Sequence, residues 1–364
     1  MVTYEQQIAD LEAEISKTKY NKATQHHLGL VKAKIAKLKE KQEARGGKGG
    51  AGEGFVVRRS GDATVILLGF PSAGKSTLLN ALTNAESEVA AYAFTTLTCI
   101  PGLLEYKHAK IQVLDVPGIV SGAASGRGRG KEVLAAMRSA DMAIVLLDAL
   151  RTHELPIILN EARDAHIRLN ERQPDVKITR TSKGGIDIGR TVKTPDLTDE
   201  TIKGICSEFR LHNCSIVIRS PLTADQFIDA IEANKVYMPA LIVVNKADLL
   251  TEQGKKLIEK ELKPDLFISA HYKKGIDELK DATYEKLDFM RLFLKEPGKP
   301  ADMDEPLIVR RGSTIQSVCS KLHKDFVKNF KYARVTGPSS KFAGQRLMLT
   351  HVLKDTDILE LHIR

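Results

Sequence analysis

Gly69-Phe70-Pro71-Ser72-Ala73-Gly74-Lys75-Ser76 decides the reading of this chain: a glycine, four residues, then Gly-Lys-Ser, the spacing of a loop that cradles phosphate. The flanking residues supply the setting such a loop needs. Ala63 to Leu68 is a short apolar run with β-branched residues, which predicts a buried strand, and Thr77 to Leu82 opens a helical pattern. Gly69 and Gly74 let the backbone curl so that successive N–H groups face a β-phosphate. Pro71, Ser72, Ala73 and Thr77 lie in or beside that curl, and the helix start adds the positive end of its dipole. Lys75 is expected to reach the β- and γ-phosphates, and the Ser76 hydroxyl to ligate Mg2+. A Gly-rich turn between strand and helix can also be only a turn, so the rest of the chain has to decide.

Three further motifs follow in order. Asp115-Val-Pro-Gly118 comes after the apolar run Ile111 to Leu114, which places the carboxylate at the carboxyl end of a strand, where α/β sheets bind ligands. Asp115 is expected to hold a Mg2+-bound water and the Gly118 N–H to meet a γ-phosphate. Between these motifs, Phe94-Thr95-Thr96-Leu97 offers a threonine to complete the Mg2+ shell, Thr96 in preference to Thr95. Lys75, Thr96 and Gly118 are thus the residues assigned to the reacting phosphate. Ala240 to Val244 then leads into Asn245-Lys246-Ala247-Asp248. A carboxylate at Asp248 accepts from the two adjacent N–H donors on the edge of guanine, a pair that adenine lacks. Asn245 ties this loop to the phosphate loop, and the Lys246 stem covers the base. After a last short strand, Leu266 to Ile268, Ser269-Ala270 offers the Ala270 N–H to guanine O6.

This ordered set resembles the translation-factor-like class of P-loop GTPases. The fuller strings Gly-Phe-Pro-Ser-Ala-Gly-Lys-Ser, Phe-Thr-Thr-Leu-Thr and Asp-Val-Pro-Gly-Ile-Val resemble the Obg-related branch, and within it the developmentally regulated GTP-binding protein (DRG) family. The resemblance extends over nearly the whole chain and implies GTP and GDP as ligands, Mg2+ as cofactor, a small regulatory partner protein and association with translation. One departure from Ras-like enzymes bears on rate: Ile119 follows Gly118 where they carry the glutamine that orients the attacking water. Even glutamine-bearing enzymes turn over at roughly 10⁻⁴ to 10⁻³ per second unaided, so slow basal hydrolysis, raised by a partner or a monovalent cation, is expected. Some relatives recruit K+ through an asparagine in the phosphate loop; Ser72 stands there in this chain.

The 364 residues suffice for several domains, and a formal charge of +9 with a pI near 9.2 points to polyanionic partners. Cys99, Cys206, Cys214 and Cys319 show neither metal-ligand spacing nor a disulfide framework, and read as reduced thiols. No apolar run is long enough to span a bilayer, and Met1 is followed by a charged amphipathic segment, so a cytoplasmic protein without a membrane partner, acting as a monomer, is expected.

Along the chain, Ile8, Leu11 and Ile15, then Leu28, Val31, Ile35 and Leu38, recur at helical spacing and predict a hairpin with Asn21 as a cap at the break. Its second helix carries Lys32, Lys34, Lys37, Lys39 and Lys41, a face for RNA phosphates or an acidic partner. Gly46 to Gly54 reads as a linker, and the Gly- and Arg-rich stretch 121–131 as a switch ordered by the γ-phosphate. Met142 to Leu147 is a core strand and Glu154 to Leu169 a helix. Asn245 then lies too far downstream for a plain core, so residues 172–238 read as an inserted α+β module. In it, Val176–Thr181 and Ile186–Val192 form a hairpin about Lys183-Gly-Gly185, followed by a helix, Thr198 to Phe209, and a strand, Cys214 to Ile218. The module resembles the second domain of ribosomal protein S5. Beyond Phe289, paired strands, one helix face made by Ile315, Val318, Leu322 and Phe326, and further strands resemble the TGS domain, a ubiquitin-like β-grasp unit. That resemblance implies RNA or ribosome contact, with Lys321, Lys324, Lys328, Lys331 and Lys341 as phosphate contacts.

The expected architecture is α/β: a P-loop GTPase core of mostly parallel sheet with helices on both faces (55–171 plus 239–289), an amino-terminal helical hairpin and linker (1–54), the inserted module (172–238) and a β-grasp domain (290–364). The expected function is GTP hydrolysis as a nucleotide-dependent switch on ribosomes or translation-associated RNA. The rival readings are a ribosome-assembly factor and an RNA-binding scaffold that uses GTP structurally.

Overall fold

In the computed structural model, the described residues are 3–19, 21, 24–46, 61–83, 100–115 and 137–363. Packing divides the chain into two units, Met1–Gly54 with His166–Tyr237, and Phe55–Ala165 with Met238–Arg364.

The second unit is built on a six-stranded sheet of β1 (Ala63–Leu68), β2 (Ile100–Tyr106), β3 (Ala109–Asp115), β4 (Met142–Asp148), β10 (Ala240–Asn245) and β11 (Leu266–Phe267), in the order β11-β10-β4-β1-β3-β2. All neighbours are parallel except β2, which returns antiparallel along β3. Every residue of β1 and β4 is buried. That is the pattern of a parallel sheet covered on both faces, and it explains why these segments read as continuous apolar runs rather than alternating ones. The helix Lys75–Leu82 buries Leu78, Leu79 and Leu82 in the same core as Val65, Leu67, Val113 and Ile144; each such side chain contributes about 1.5–3 kcal/mol. Since β1, β3, β4, β10 and β11 run in one direction, the loops after them leave the same edge of the sheet.

The carboxyl-terminal part of this unit is a five-stranded sheet of β12 (Phe289–Lys295), β13 (Leu307–Arg310), β14 (Phe330–Thr336), β15 (Gln345–Leu347) and β16 (Ile358–Ile363), ordered β13-β12-β16-β14-β15. The helix Ile315–Leu322 buries Ile315, Val318 and Cys319 against it. The helix face expected to run on to Phe326 is broken: His323 is extended (φ −160°, ψ 142°), and a short second helix, Lys324–Lys328, follows. This domain is joined to the parallel sheet by Phe289 and Ile308 in a shared core and by Lys321 Nζ, which donates to Asp62 Oδ1 at 2.7 Å and to the Ile308 carbonyl at 2.6 Å. Lys321, expected as a phosphate contact, is therefore engaged within the chain.

In the first unit, helices Tyr4–Lys17 and Gln25–Gly46 form the amino-terminal hairpin through Ile8, Val31 and Ile35. Thr3 caps the first helix in a reciprocal capping box with Gln6, and the Asn21 side chain accepts the Thr24 N–H at 2.9 Å ahead of the second. Ala33 and Ala36, on another face of the second helix, enter the core made by Ile202, Ile205, Ile216 and Phe227. Small side chains there let the helix approach closely. Of the lysines expected to dock RNA, Lys32 pairs with Asp225 at 2.6 Å, Lys39 with Glu12 at 3.6 Å, and Lys37 donates to the Glu208 carbonyl.

Two expectations fail between Glu154 and Ile218. The helix read over Glu154 to Leu169 covers only Leu155–Asp164. The backbone turns left-handed at His166 (φ 61°), and β5 (Ile167–Leu169) pairs with β9 (Val236–Met238), the Val236 N–H donating to the His166 carbonyl. Nor do β6 (Val176–Arg180) and β7 (Ile186–Arg190) pair as a hairpin. Strand β8 (Cys214–Ile218) lies between them, antiparallel to β6 and parallel to β7. Its Cys214, Ile216 and Ile218 are buried, whereas β6 and β7 are at best half-buried. The strand with the fully apolar inner face takes the centre and leaves the polar ones at the edges.

Candidate functional site

The phosphate-loop pattern occupies the turn from β1 into the helix Lys75–Leu82. Ser72 (φ 68°) and Gly74 (φ 95°) are both left-handed, and Gly74 caps the helix, its carbonyl accepting the Leu78 N–H at 2.8 Å. Gly69 has no room for a side chain: a Cβ there would lie 2.5 Å from the Leu146 carbonyl oxygen of β4. A Cβ on Gly74 would strike the Asn245 amide. Ala73 is buried, while Pro71, Ser72, Ser76 and Thr77 are exposed around it. Lys75 curls back over its own loop, Nζ donating to the Gly69 and Phe70 carbonyls at 2.9 and 3.0 Å. Burial lowers the pKa of this amine, and the charge of Asp115 opposes the shift.

At the end of β3, Asp115 is 4% exposed, and its Oδ2 accepts from Ser76 Oγ at 2.9 Å. Its Oδ1 is buried with no hydrogen-bond partner among the described residues. An unpartnered carboxylate oxygen beside a hydroxyl is costly unless a cation or water engages it, and this all-oxygen pair fits Mg2+, a hard ion that keeps several waters. Thr95, Thr96, Gly118 and Ile119, with the rest of the expected switch 121–131, lie outside the described residues.

The loops expected to read the base meet the phosphate loop through one side chain. Asn245 is 2% exposed; its Nδ2 donates to the Ala73 carbonyl at 2.8 Å, and its Oδ1 accepts the Ala270 N–H at 3.0 Å. The Ala270 N–H, expected to face guanine O6, is thus donated to Asn245. Ser269 is buried, and its Oγ accepts the Tyr272 N–H at 3.4 Å. Asp248 stands exposed in the short turn Ala247–Leu249, which is fastened by the Ala247 N–H to the Ile268 carbonyl. Lys246 is left-handed (φ 61°), and its Nζ donates to Asp148 Oδ2 at 2.7 Å.

Asp148, which the sequence motifs do not include, adjoins these loops. It ends β4 directly opposite Asn245, is 8% exposed, and accepts the Leu150 N–H at 2.9 Å as well as Lys246. Burial works to raise its pKa, but the Lys246 and Leu150 hydrogen bonds, with the Arg151 charge, hold the carboxyl below its ordinary value. Its signal was the one that found Asp115, an acid immediately after an apolar strand.

The described residues thus bring together Gly69, Pro71 to Thr77, Asp115, Asn245, Lys246, Asp248, Ser269 and Ala270 at the carboxyl edge of one sheet. No helix among them is long and apolar enough to cross a membrane. Family models match the chain in three stretches: residues 64–179 as a 50S ribosome-binding GTPase, 183–289 as the C-terminal region of that domain, and 290–363 as a TGS domain. An uncharacterized GTP-binding protein of Methanocaldococcus jannaschii is 52% identical, covering 99% of this chain and 93% of the relative. Developmentally-regulated G-protein 3 of Arabidopsis thaliana is 45% identical with 99% of each covered, and developmentally-regulated GTP-binding protein 2 of Homo sapiens 40% identical with 98% of each covered. A solved GTP-binding protein from Pyrococcus horikoshii OT3 aligns at 15% identity over 83% of this chain and all of that one, with a TM-score of 0.42. On the strength of the full-length identities, the P-loop core and the carboxyl-terminal TGS domain, the chain belongs to the developmentally regulated GTP-binding protein family of GTPases.

Proposed function

We propose that this GTPase works as a nucleotide-dependent switch on ribosomes or translation-associated RNA, binding GTP and GDP with Mg2+ in the pocket described and reporting the bound state to its basic modules. The observation that carries the reading is Asn245, whose one buried amide ties the phosphate loop to both base-side loops. Movement at the phosphates is thereby felt at the base, and the reverse. The family model's description and the charge of +9 support a polyanionic partner.

In the hydrolytic step, Lys75 exchanges its two loop carbonyls for β- and γ-phosphate oxygens, and its ammonium offsets charge developing there. Backbone N–H groups at 72–76 and the helix start orient the triphosphate. Asp115 and Ser76 would hold Mg2+, which supplies further neutralisation when bound. Asp248 selects guanine, while Lys246, held by Asp148, covers the base. Thr96 and the Gly118 N–H are assigned to the γ-phosphate. Ile119 offers no hydrogen bond to the attacking water, so basal turnover is slow and rises with a small partner protein or a monovalent cation, K+ being the one to test.

The test is single-turnover GTP hydrolysis by the purified chain, alone, with K+ in place of Na+, and with ribosomes at increasing salt. Ribosome stimulation that fades with salt supports the reading. A basal rate above about one per second, far beyond the unaided range, or a rate indifferent to ribosomes, K+ and candidate partners, refutes it.

A further inference from the structure

We propose that the open face of the carboxyl-terminal sheet binds the sugar–phosphate backbone of RNA through a cross-strand row of cations centred on Arg334 and Arg346. The inference rests on RNA as a partner and names the surface that meets it. Lys295 on β12, Glu360 on β16, Arg334 on β14 and Arg346 on β15 are direct cross-strand partners in sequence, Lys295 with Glu360, Glu360 with Arg334, and Arg334 with Arg346. They stand in one line across four strands. With Thr336, Gly344 and Ile358 they line a cavity of about 260 Å³.

The charges in this row do not balance. Glu360 is 5% exposed; its Oε2 meets Lys295 Nζ at 2.7 Å and its Oε1 meets His362 Nε2 at 2.7 Å, leaving Arg334 at 3.4 Å. Arg346 reaches no carboxylate among the described residues; its guanidinium lies over the Tyr332 ring, 4.7 Å from the centroid. Two arginines directly opposite each other on antiparallel strands repel, and nothing in the row neutralises the second. A phosphate seated between the two planar forks does so with the geometry guanidinium groups favour. Tyr332 stacks on His362 (centroids 4.4 Å apart, planes at 21°) as well as carrying Arg346. The ring therefore serves to hold the arginine rather than to receive a base, so recognition is of the backbone and indifferent to sequence. This row replaces the helix lysines as the principal contact, Lys321 being engaged with Asp62.

The test is fluorescence anisotropy of the full chain with a labelled oligouridine, from 50 to 200 mM salt. Arg346→Gln, which removes no ion pair to Glu360, and the double variant Arg334→Gln with Arg346→Gln are compared with Lys324→Gln with Lys328→Gln, each checked for an unchanged melting temperature. The double arginine variant is expected to bind at least tenfold more weakly at 50 mM salt and to lose about 1.4 from the slope of log K against log salt, since each single-strand phosphate contact contributes about 0.7. Arg346→Gln should lose about half of that slope. Oligouridine binding by the wild type that survives the arginine changes, or falls only with the lysines, overturns this surface but leaves RNA as a partner. Absence of any RNA binding overturns the reading beneath it. Preference for polyglutamate over RNA at equal charge assigns the face to an acidic protein instead and overturns the proposal.

Discussion

Asp148→Asn should weaken GTP and GDP binding equally. The substitution retains an oxygen for the Leu150 N–H but removes the charge that receives Lys246 Nζ at 2.7 Å. A hydrogen bond to a charged group contributes about 1.5–3 kcal/mol. The Lys246 side chain is 36% exposed and that of Asp148 12%, so solvent screens part of the interaction. About 1–1.4 kcal/mol remains, or roughly a 5- to 10-fold rise in Kd. Only the base-side loop is loosened, so the loss should fall on the dissociation rate of both nucleotides, with single-turnover kcat unchanged. Stopped-flow displacement of fluorescent GTP and GDP measures this directly. In a double-mutant cycle with Lys246→Ala, the Asp148→Asn effect should vanish once the lysine stem is gone. An Asp148→Asn protein whose two dissociation rates stay within twofold of wild type, or which loses GTP but not GDP, would show that Asp148 does not position Lys246 over the base.

Gly69→Ala pushes a methyl group to 2.5 Å from a β4 carbonyl that cannot move without breaking sheet pairing; it should cost about 1–3 kcal/mol, seen as a lower melting temperature together with loss of nucleotide binding in calorimetry. In the first unit, Arg168 and Asp229 form a buried bidentate pair, with both contacts at 2.7 Å and side-chain exposures of 13% and 8%. Asp229→Ala should destabilise that unit by about 3 kcal/mol, measurable by urea denaturation, with nucleotide affinity nearly unchanged. The lowered pKa of Lys75 gives a pH signature. Its charge is lost as pH rises through that lowered value, so GTP affinity should fall on the alkaline side at a lower pH than free lysine would impose, and Lys75→Arg should remove the inflection.

The loops at the carboxyl edge of the sheet were legible in the sequence where they follow the buried strands β1, β3 and β10, because an apolar run and the polar residue that ends it announce each other; the loop after the half-buried edge strand β11 carries less of that signal. Asp148 follows the same grammar and was missed only because its loop matches no recurring phosphate or base motif. The stretch expected to be an inserted module, residues 172–238, was harder to read. Lys183-Gly-Gly185 looks like a hairpin turn, yet β8, some thirty residues along, wins the central place by its buried Ile216 and Ile218; local turn chemistry is overridden by long-range burial. The basic surfaces were least legible. Sequence ranks lysines by number, whereas the fold commits Lys32, Lys37 and Lys321 to internal partners and lifts Arg334 and Arg346 from scattered positions into one row.

The seating of Ala33 and Ala36 among Ile202, Ile205 and Phe227 has a bearing on how the protein is born. Translation delivers those alanines long before their partners emerge, so the early helices must wait, one apolar face bare, while the phosphate loop is made. Nor can β10 join its sheet until the whole excursion from His166 to Tyr237 has been made. Nascent chains halted before residue 228 should therefore be the ones that chaperones hold and proteases cut, because contacts so distant in sequence close late.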